Sequence, residues 1–163
     1  NPEQEEKFLR VRGEKLEKIC NKYLSETFKK DQEKLLKVLV TVEEKILRNP
    51  REINENIGFY YELPKYDKEL LTHEKLGVDL NQAFASLKKA AEDLEKLDNW
   101  ALNSIKETLQ KTVEELKTKG GQVFWPARSA LSGLQFSPGV FELTWALGKN
   151  ETLKRLKNAY ELS

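Results

Sequence analysis

The chain is short of the residues on which several kinds of site depend. Its 163 residues include one cysteine, one histidine and no methionine. Cys20 has no internal disulfide partner, which is typical of a reducing compartment. Neither Cys20 nor His73 has partners at metal-ligand spacing, so we predict no metal site. Because no methionine can act as initiator, we expect a fragment or a processed form of a longer protein.

The sequence also has no long apolar run and no large net charge. No segment approaches the roughly 18–20 uninterrupted apolar residues of a membrane span, and the charged N-terminus has no apolar signal-peptide region. Lys and Arg number 28 against 27 Asp and Glu, so bulk charge gives no indication of nucleic acid. From Lys117 onward, however, seven basic residues stand against three acidic ones. This basic end favours a polyanionic partner.

What the sequence does contain is helical periodicity along almost its whole length. Apolar residues recur at spacings of three and four, and no run alternates long enough to require a strand. We therefore predict an all-α fold of two small packed helical subdomains, 1–76 and 77–163. The predicted helices are 8–28 (weakened by Gly13), 32–48 (ended by Asn49-Pro50), 80–97, 101–118, 122–131, 139–147 and 150–161.

Capping residues set the expected ends of the last two helices. Ser137 is predicted as the N-cap of helix 139–147, with Pro138 as its first residue. Gly148 is predicted to end that helix, and Asn150 to cap the last one.

The last 40 residues or so carry several motifs in a specific order and spacing. They are Pro126-Ala127-Arg128-Ser129-Ala130-Leu131-Ser132-Gly133, Ser137-Pro138-Gly139, Phe141-Glu142, Leu147-Gly148-Lys149 and Leu153-Lys154-Arg155-Leu156. This succession resembles the C-terminal anticodon-binding region of bacterial-type glutamyl-tRNA synthetases. Upstream, FYYELPKYDKELL and Asp98-Asn99-Trp100 resemble that family more loosely. The resemblance implies the helical bundle, or cage, that binds the anticodon in this class I aminoacyl-tRNA synthetase.

The resemblance also implies a division of labour with a catalytic domain of the same polypeptide. This chain would bind the anticodon stem-loop of tRNA(Glu), and of tRNA(Gln) if the parent enzyme is non-discriminating, supporting ATP-dependent glutamylation in the cytoplasm. The family's class I motifs and any glycine-rich phosphate loop are absent from the sequence. We therefore expect no enzyme activity and no cofactor in this chain, with ATP and Mg²⁺ belonging to the parent enzyme. Neither a membrane nor DNA is an expected partner.

The expected contacts with RNA follow from how unstacked bases are read, by stacking and by hydrogen bonds to their edges. Arg128 and Ser132, four apart in a helix, are predicted to face solvent and to contact the anticodon, with the guanidinium offering a fork of donors. Glycine and the free N–H groups at a helix start allow close backbone approach. The resemblance implies anticodon contact for Arg128, Ser137, Pro138, Gly139, Val140 and Phe141. Further candidate RNA contacts are Trp125, Lys45, Arg48, Lys154 and Arg155.

Other readings of these residues stay open. Trp100 and Trp145 are expected to be packing anchors, and Lys154 and Arg155 also suit an ordinary solvated face. By the resemblance, one position within 42–48 discriminates tRNA(Glu) from tRNA(Gln), and Lys45 is a candidate for it. A lysine there would lack the bidentate fork of arginine. As a whole, the chain is also compatible with a helical protein-interaction module or a free-standing tRNA-binding protein.

Overall fold

The computed structural model describes residues 1–162. They divide into two compact units, the first ending at Glu62 and the second beginning at Leu63. Within the described residues the only β-type pairing is an isolated bridge between His73 and Val78. The predicted all-α class is confirmed. None of the described helices combines the length and the apolar character that crossing a membrane requires.

The first unit consists of short helices around an aliphatic core. Short 3-10 turns connect these helices. The side chain of Asn1 caps the first α-helix by accepting a hydrogen bond from the Glu3 N–H at 3.0 Å. The first helix starts earlier and ends earlier than the predicted 8–28. The α-helices are α1 (Pro2–Cys20), α2 (Gln32–Thr41), α3 (Glu43–Arg48) and α4 (Ile53–Ile57).

The single helix predicted over 32–48 is broken at Val42. The Thr41 hydroxyl bonds the Val38 carbonyl at 2.7 Å and the Tyr60 hydroxyl at 2.6 Å, so it competes with the backbone ladder at this point. The Asn49-Pro50 stop is confirmed, because α3 ends at Arg48.

Gly13, expected to weaken the first helix, is instead a point where α2 approaches α1 closely. A Cβ atom built on Gly13 would lie 2.7 Å from the Leu36 carbonyl oxygen and 3.0 Å from the Leu36 Cβ. Any larger side chain would push the two helices apart. The missing side chain therefore sets the packing distance within the first unit.

We predict that Gly13→Ala destabilises the protein although alanine is the better helix former. Alanine gains about 1 kcal/mol of helix propensity, but the overlap with backbone atoms should reduce the free energy of unfolding by about 1–3 kcal/mol. Gly58→Ala is the matched control, because a Cβ there meets nothing within 4 Å and φ is −53°. Urea unfolding followed by circular dichroism should show no loss for Gly58→Ala. Equal stability of the two variants would contradict the close approach.

The second unit is arranged around α5, which packs against three other helices, α6, α7 and α9. It also includes residues that the sequence assigned to the first subdomain. The structural division falls at Glu62/Leu63 rather than 76/77, because the Trp125 indole binds the carbonyls of Leu70 and Thr72. Its α-helices are α5 (Leu80–Glu95), α6 (Leu102–Leu116), α7 (Gly120–Ser132), α8 (Val140–Leu147) and α9 (Lys149–Tyr160).

A proline lies in the interior of α7 and is accommodated by a hydroxyl from α5. Pro126 has no N–H to donate to the carbonyl of Gln122, four residues earlier. The buried Ser86 hydroxyl donates to that carbonyl instead, at 2.9 Å. Because buried carbonyls need a partner, this bond lets α7 continue through Pro126 while tying it to α5.

Of the four predictions for the ends of the last two helices, those for Ser137, Pro138 and Asn150 are wrong, and that for Gly148 is confirmed. The Ser137 hydroxyl donates to the Pro138 carbonyl at 2.9 Å, and α8 begins at Val140 with Gly139 as N-cap and no side-chain cap. Gly148, at a φ of 82°, ends α8 as predicted. It also precedes Lys149, the first residue of α9, so Asn150 lies inside the helix that it was expected to cap.

Candidate nucleic-acid interface

A pocket of about 330 Å³ lies where one face of α7 meets the start of α8. The α7 contribution comes from residues spaced three and four apart, which share a helix face. Five predicted contact residues, Trp125, Arg128, Gly139, Val140 and Phe141, therefore lie on one concavity. The complete lining is Leu76, Gly121, Phe124, Trp125, Arg128, Gly139, Val140, Phe141 and Glu142.

Aromatic rings held by their neighbours form much of the pocket wall. Phe124 and the half-buried Phe141 meet edge to face, with ring centroids 5.3 Å apart. The Trp125 indole N–H donates to the carbonyls of Leu70 (3.2 Å) and Thr72 (2.9 Å). Trp125 therefore has no N–H left for RNA, and it acts as an anchor whose ring closes one side of the pocket.

Arg128 lies along α7 with its guanidinium above the Trp125 ring, 4.8 Å from the centroid. Its Nη2 donates to the Gln135 carbonyl at 2.9 Å, which links α7 to the loop before α8. Its Nε is buried and has no hydrogen-bond partner among residues 1–162. Stacking on Trp125 and the hydrogen bond to Gln135 thus fix the plane of the guanidinium. Its other N–H groups can still donate to an acceptor on a ligand.

The start of α8 provides backbone donors beside this fork. The first N–H groups of a helix have no partner within it, and α8 lacks a side-chain cap. Gly139 is exposed, so a ligand can approach the backbone closely. A Cβ on Gly139 would lie 2.6 Å from Oε2 of Glu142, so this carboxylate covers the same spot and adds an acceptor.

The loop between α7 and α8 is fixed at its first residues. Gly133, at a φ of 67°, ends α7, and a Cβ there would lie 2.9 Å from the Pro64 carbonyl oxygen. The expectation that Ser132 faces solvent is wrong. Ser132 is fully buried, and its hydroxyl donates to the Arg128 carbonyl at 2.8 Å and accepts the Leu134 N–H at 3.1 Å. Ser132 therefore shapes the loop, and its hydroxyl is already bonded within the protein.

Arg155 is also in the interior, against the expectation of an RNA contact. Its side chain is 2% exposed, with Nε donating to Glu151 and Nη1 to the Leu131 carbonyl, each at 2.7 Å. Lys154, the preceding residue, is exposed as expected. The basic end is thus weaker than the sequence count indicates, because Lys157 lies 3.5 Å from a glutamate, Glu95.

The remaining predicted residues lie outside the pocket lining. Lys45 and Arg48 are exposed on α3 of the first unit. Ser137 and Pro138 are half-buried in the loop before α8. Trp145 is a core residue, as expected.

The sequence analysis did not predict four of the residues that line the pocket, one of which is Gly121, or the exposed Phe136 in the loop before α8. The other three are Leu76, Phe124 and Glu142, and the α7 spacing of three from Gly121 to Phe124 and four from Phe124 to Arg128 was a usable signal for Phe124. Phe136, in the α7–α8 loop, is 79% exposed, which no periodicity within a loop predicts.

Elsewhere in the described residues, one polar cluster is bonded internally. In a cleft between α5 and α6, a hydrogen bond to Asp93 at 2.8 Å raises the pKa of Lys89. Burial raises the pKa of the Cys20 thiol. Residues 1–162 contain no group of three or more potential metal ligands.

Comparison with known proteins identifies the family. A family model described as an anticodon binding domain matches residues 14–160. The chain belongs to the anticodon-binding domain family of glutamyl-tRNA synthetases. A glutamate–tRNA ligase of Clostridium tetani is 42% identical over 111 residues, covering 68% of this chain and 23% of that protein. One from Clostridium botulinum is 42% identical over 107 residues, 65% of this chain and 22% of that protein.

Solved structures of glutamate–tRNA ligases share the fold of this anticodon-binding domain. One from Elizabethkingia meningosepticum, in complex with its amino acid, has a TM-score of 0.64 at 23% identity, covering 96% of this chain and 29% of that one. One from Elizabethkingia anophelis has a TM-score of 0.57 at 21% identity. The chain thus spans about a quarter of the length of the curated relatives that it matches.

We predict that Arg155 stabilises the domain rather than binding a ligand. Arg155→Ala removes a buried cation together with its hydrogen bonds to Glu151 and to the Leu131 carbonyl. Because a hydrogen bond to a charged group is worth about 1.5–3 kcal/mol, the free energy of unfolding should fall by at least about 2 kcal/mol. Lys154→Ala, its exposed neighbour, should change it by less than about 0.5 kcal/mol. Urea unfolding of both variants measures the difference. Indistinguishable variants would show that Arg155 has no internal role.

Proposed function

We propose that the pocket binds an unstacked base of the anticodon loop of tRNA(Glu), as part of a glutamate–tRNA ligase. The observation that carries this proposal is the single lining shared by Arg128, Gly139, Val140 and Phe141. An aromatic wall, a guanidinium fork and free backbone N–H groups together suit a flat ring with polar edges. In the proposal, phosphate contacts position the loop and the pocket specifies the base.

The chemistry of the pocket favours particular base edges. Donors from Arg128 and from the start of α8 suit the carbonyl oxygens and ring nitrogens of a pyrimidine. The Glu142 carboxylate, which lies over Gly139, can accept a hydrogen bond from an exocyclic amino group of a base. A phosphate in the same position would meet that carboxylate, so the pocket suits a base better than the backbone.

The two units have different proposed roles. The second unit carries the pocket, and the first links it to the catalytic domain of the parent polypeptide. Three large apolar residues on one side of α1, Phe8, Val11 and Ile19, are exposed, which suits packing against another part of that enzyme. Lys45 and Arg48 are proposed further tRNA contacts.

The proposal extends to the parent enzyme. Its catalytic domain would use ATP and Mg²⁺ to glutamylate the tRNA in the cytoplasm. A lysine such as Lys45 cannot make the bidentate contacts of an arginine, so if it occupies the discriminating position tRNA(Gln) becomes a second substrate.

Binding of RNA stem-loops tests the role of Arg128. We predict that Arg128→Ala weakens binding of the tRNA(Glu) anticodon stem-loop by about 1–3 kcal/mol and reduces the preference over an unrelated anticodon. Arg128→Lys should keep the charge but lose preference, because the fork is gone. Lys88→Ala, an equal charge change at an exposed α5 position, is the control and should leave the preference intact.

Fluorescence anisotropy at two salt concentrations gives the readout, and binding should weaken as salt rises. Salt-sensitive binding without a preference for the cognate stem-loop would show that the surface binds RNA without reading its sequence. Absence of binding, or binding insensitive to salt, would instead favour a protein-interaction module.

A further inference from the structure

Phe136 is the most exposed large apolar side chain among the described residues, at 79%. It lies in the loop that joins α7 to α8, three residues before Gly139 of the pocket. Its neighbours in the chain, Gln135 and Ser137, are polar. The arrangement is a single ring between polar residues, not part of a broad apolar patch of the kind that protein interfaces present.

The backbone on both sides of Phe136 is held in place. Before it, Arg128 Nη2 holds the Gln135 carbonyl at 2.9 Å, and Ser132 holds the Leu134 N–H at 3.1 Å. After it, the Ser137 hydroxyl bonds the Pro138 carbonyl, and the proline ring restricts the chain. The loop thus projects the ring from a fixed backbone, and little ordering remains to be done when a flat partner binds.

We propose that Phe136 is a stacking platform for a second unstacked base of the same RNA loop, next to the base held in the pocket. An exposed aromatic ring offers a face to any base, because every base has a π-face, and such stacking tolerates changes of sequence. The pocket then supplies discrimination between bases, while Phe136 supplies affinity without discrimination. This inference rests on the proposed function, since it requires that the RNA loop lies over the pocket.

Three substitutions at one position separate stacking from simple apolar contact. Phe136→Ala should weaken binding of the cognate and the unrelated stem-loop by the same factor, about 5- to 100-fold. Phe136→Leu keeps an apolar side chain without the ring and should lose affinity similarly, whereas Phe136→Trp should bind at least as tightly as wild type. Because the ring is so exposed, circular dichroism should show all three variants folded.

Phe8→Ala is the matched control, because Phe8 is 63% exposed on α1 and has no proposed contact with RNA. It should leave affinity for both stem-loops unchanged. Replacing single loop bases by 2-aminopurine adds a direct readout. Its fluorescence at one position should be quenched on binding to wild type and to Phe136→Trp, but not to Phe136→Ala.

The outcomes separate this inference from the proposed function. If Arg128→Ala reduces the preference while Phe136→Ala binds like wild type, the platform is rejected and the pocket stands. A Phe136→Leu variant with wild-type affinity would also reject stacking. Loss of binding for the cognate loop alone would make Phe136 a base reader and overturn the division of roles. If the wild-type chain binds neither stem-loop, the proposed function and the platform fail together.

Discussion

The candidate interface depends on a buried cation in the interior of the second unit. Arg155 of α9 donates to the carbonyl of Leu131 in the last turn of α7, and Glu151 balances its charge. A charge in the interior is stable only when it is paired and hydrogen-bonded. The bond therefore fixes the end of α7, where Gly133 turns the chain into the loop that leads to α8. Moving that carbonyl would move the loop.

The rest of the site is built from small local requirements that agree with one another. Pro126 removes a backbone bond from α7, and Ser86 supplies its replacement from α5. Trp125 ties the same helix to the segment before α5, and its ring supports Arg128. A guanidinium held by stacking and by the Gln135 carbonyl is already oriented before any ligand arrives, which lowers the entropy that binding must overcome.

Periodicity predicted the five helices of the second unit to within two residues at each end, but capping rules mostly failed and neither indicated which polar residues are buried. Val123 and Ala127, four apart, both lie on the buried face of α7, because a helix face follows from spacing alone. The burial of Ser132 and Arg155 was not predicted, because each donates to a backbone carbonyl (of Arg128 and of Leu131), a partner that no sequence pattern displays. Phe136 was missed since a loop has no period. The motif order around Arg128 and Gly139 indicated the pocket residues through family resemblance, whereas its aromatic wall required the packing.

RNA binding over α7 and the start of α8 can be tested by an NMR titration. A ¹⁵N-labelled sample of the chain would be titrated with the tRNA(Glu) anticodon stem-loop, following backbone amides and the arginine and tryptophan side chains. The account predicts the largest shift changes at Gly139, Val140, Phe141 and the Arg128 side chain, with little change in α6. Largest changes in α6 or α1, or none with RNA in excess, would contradict it.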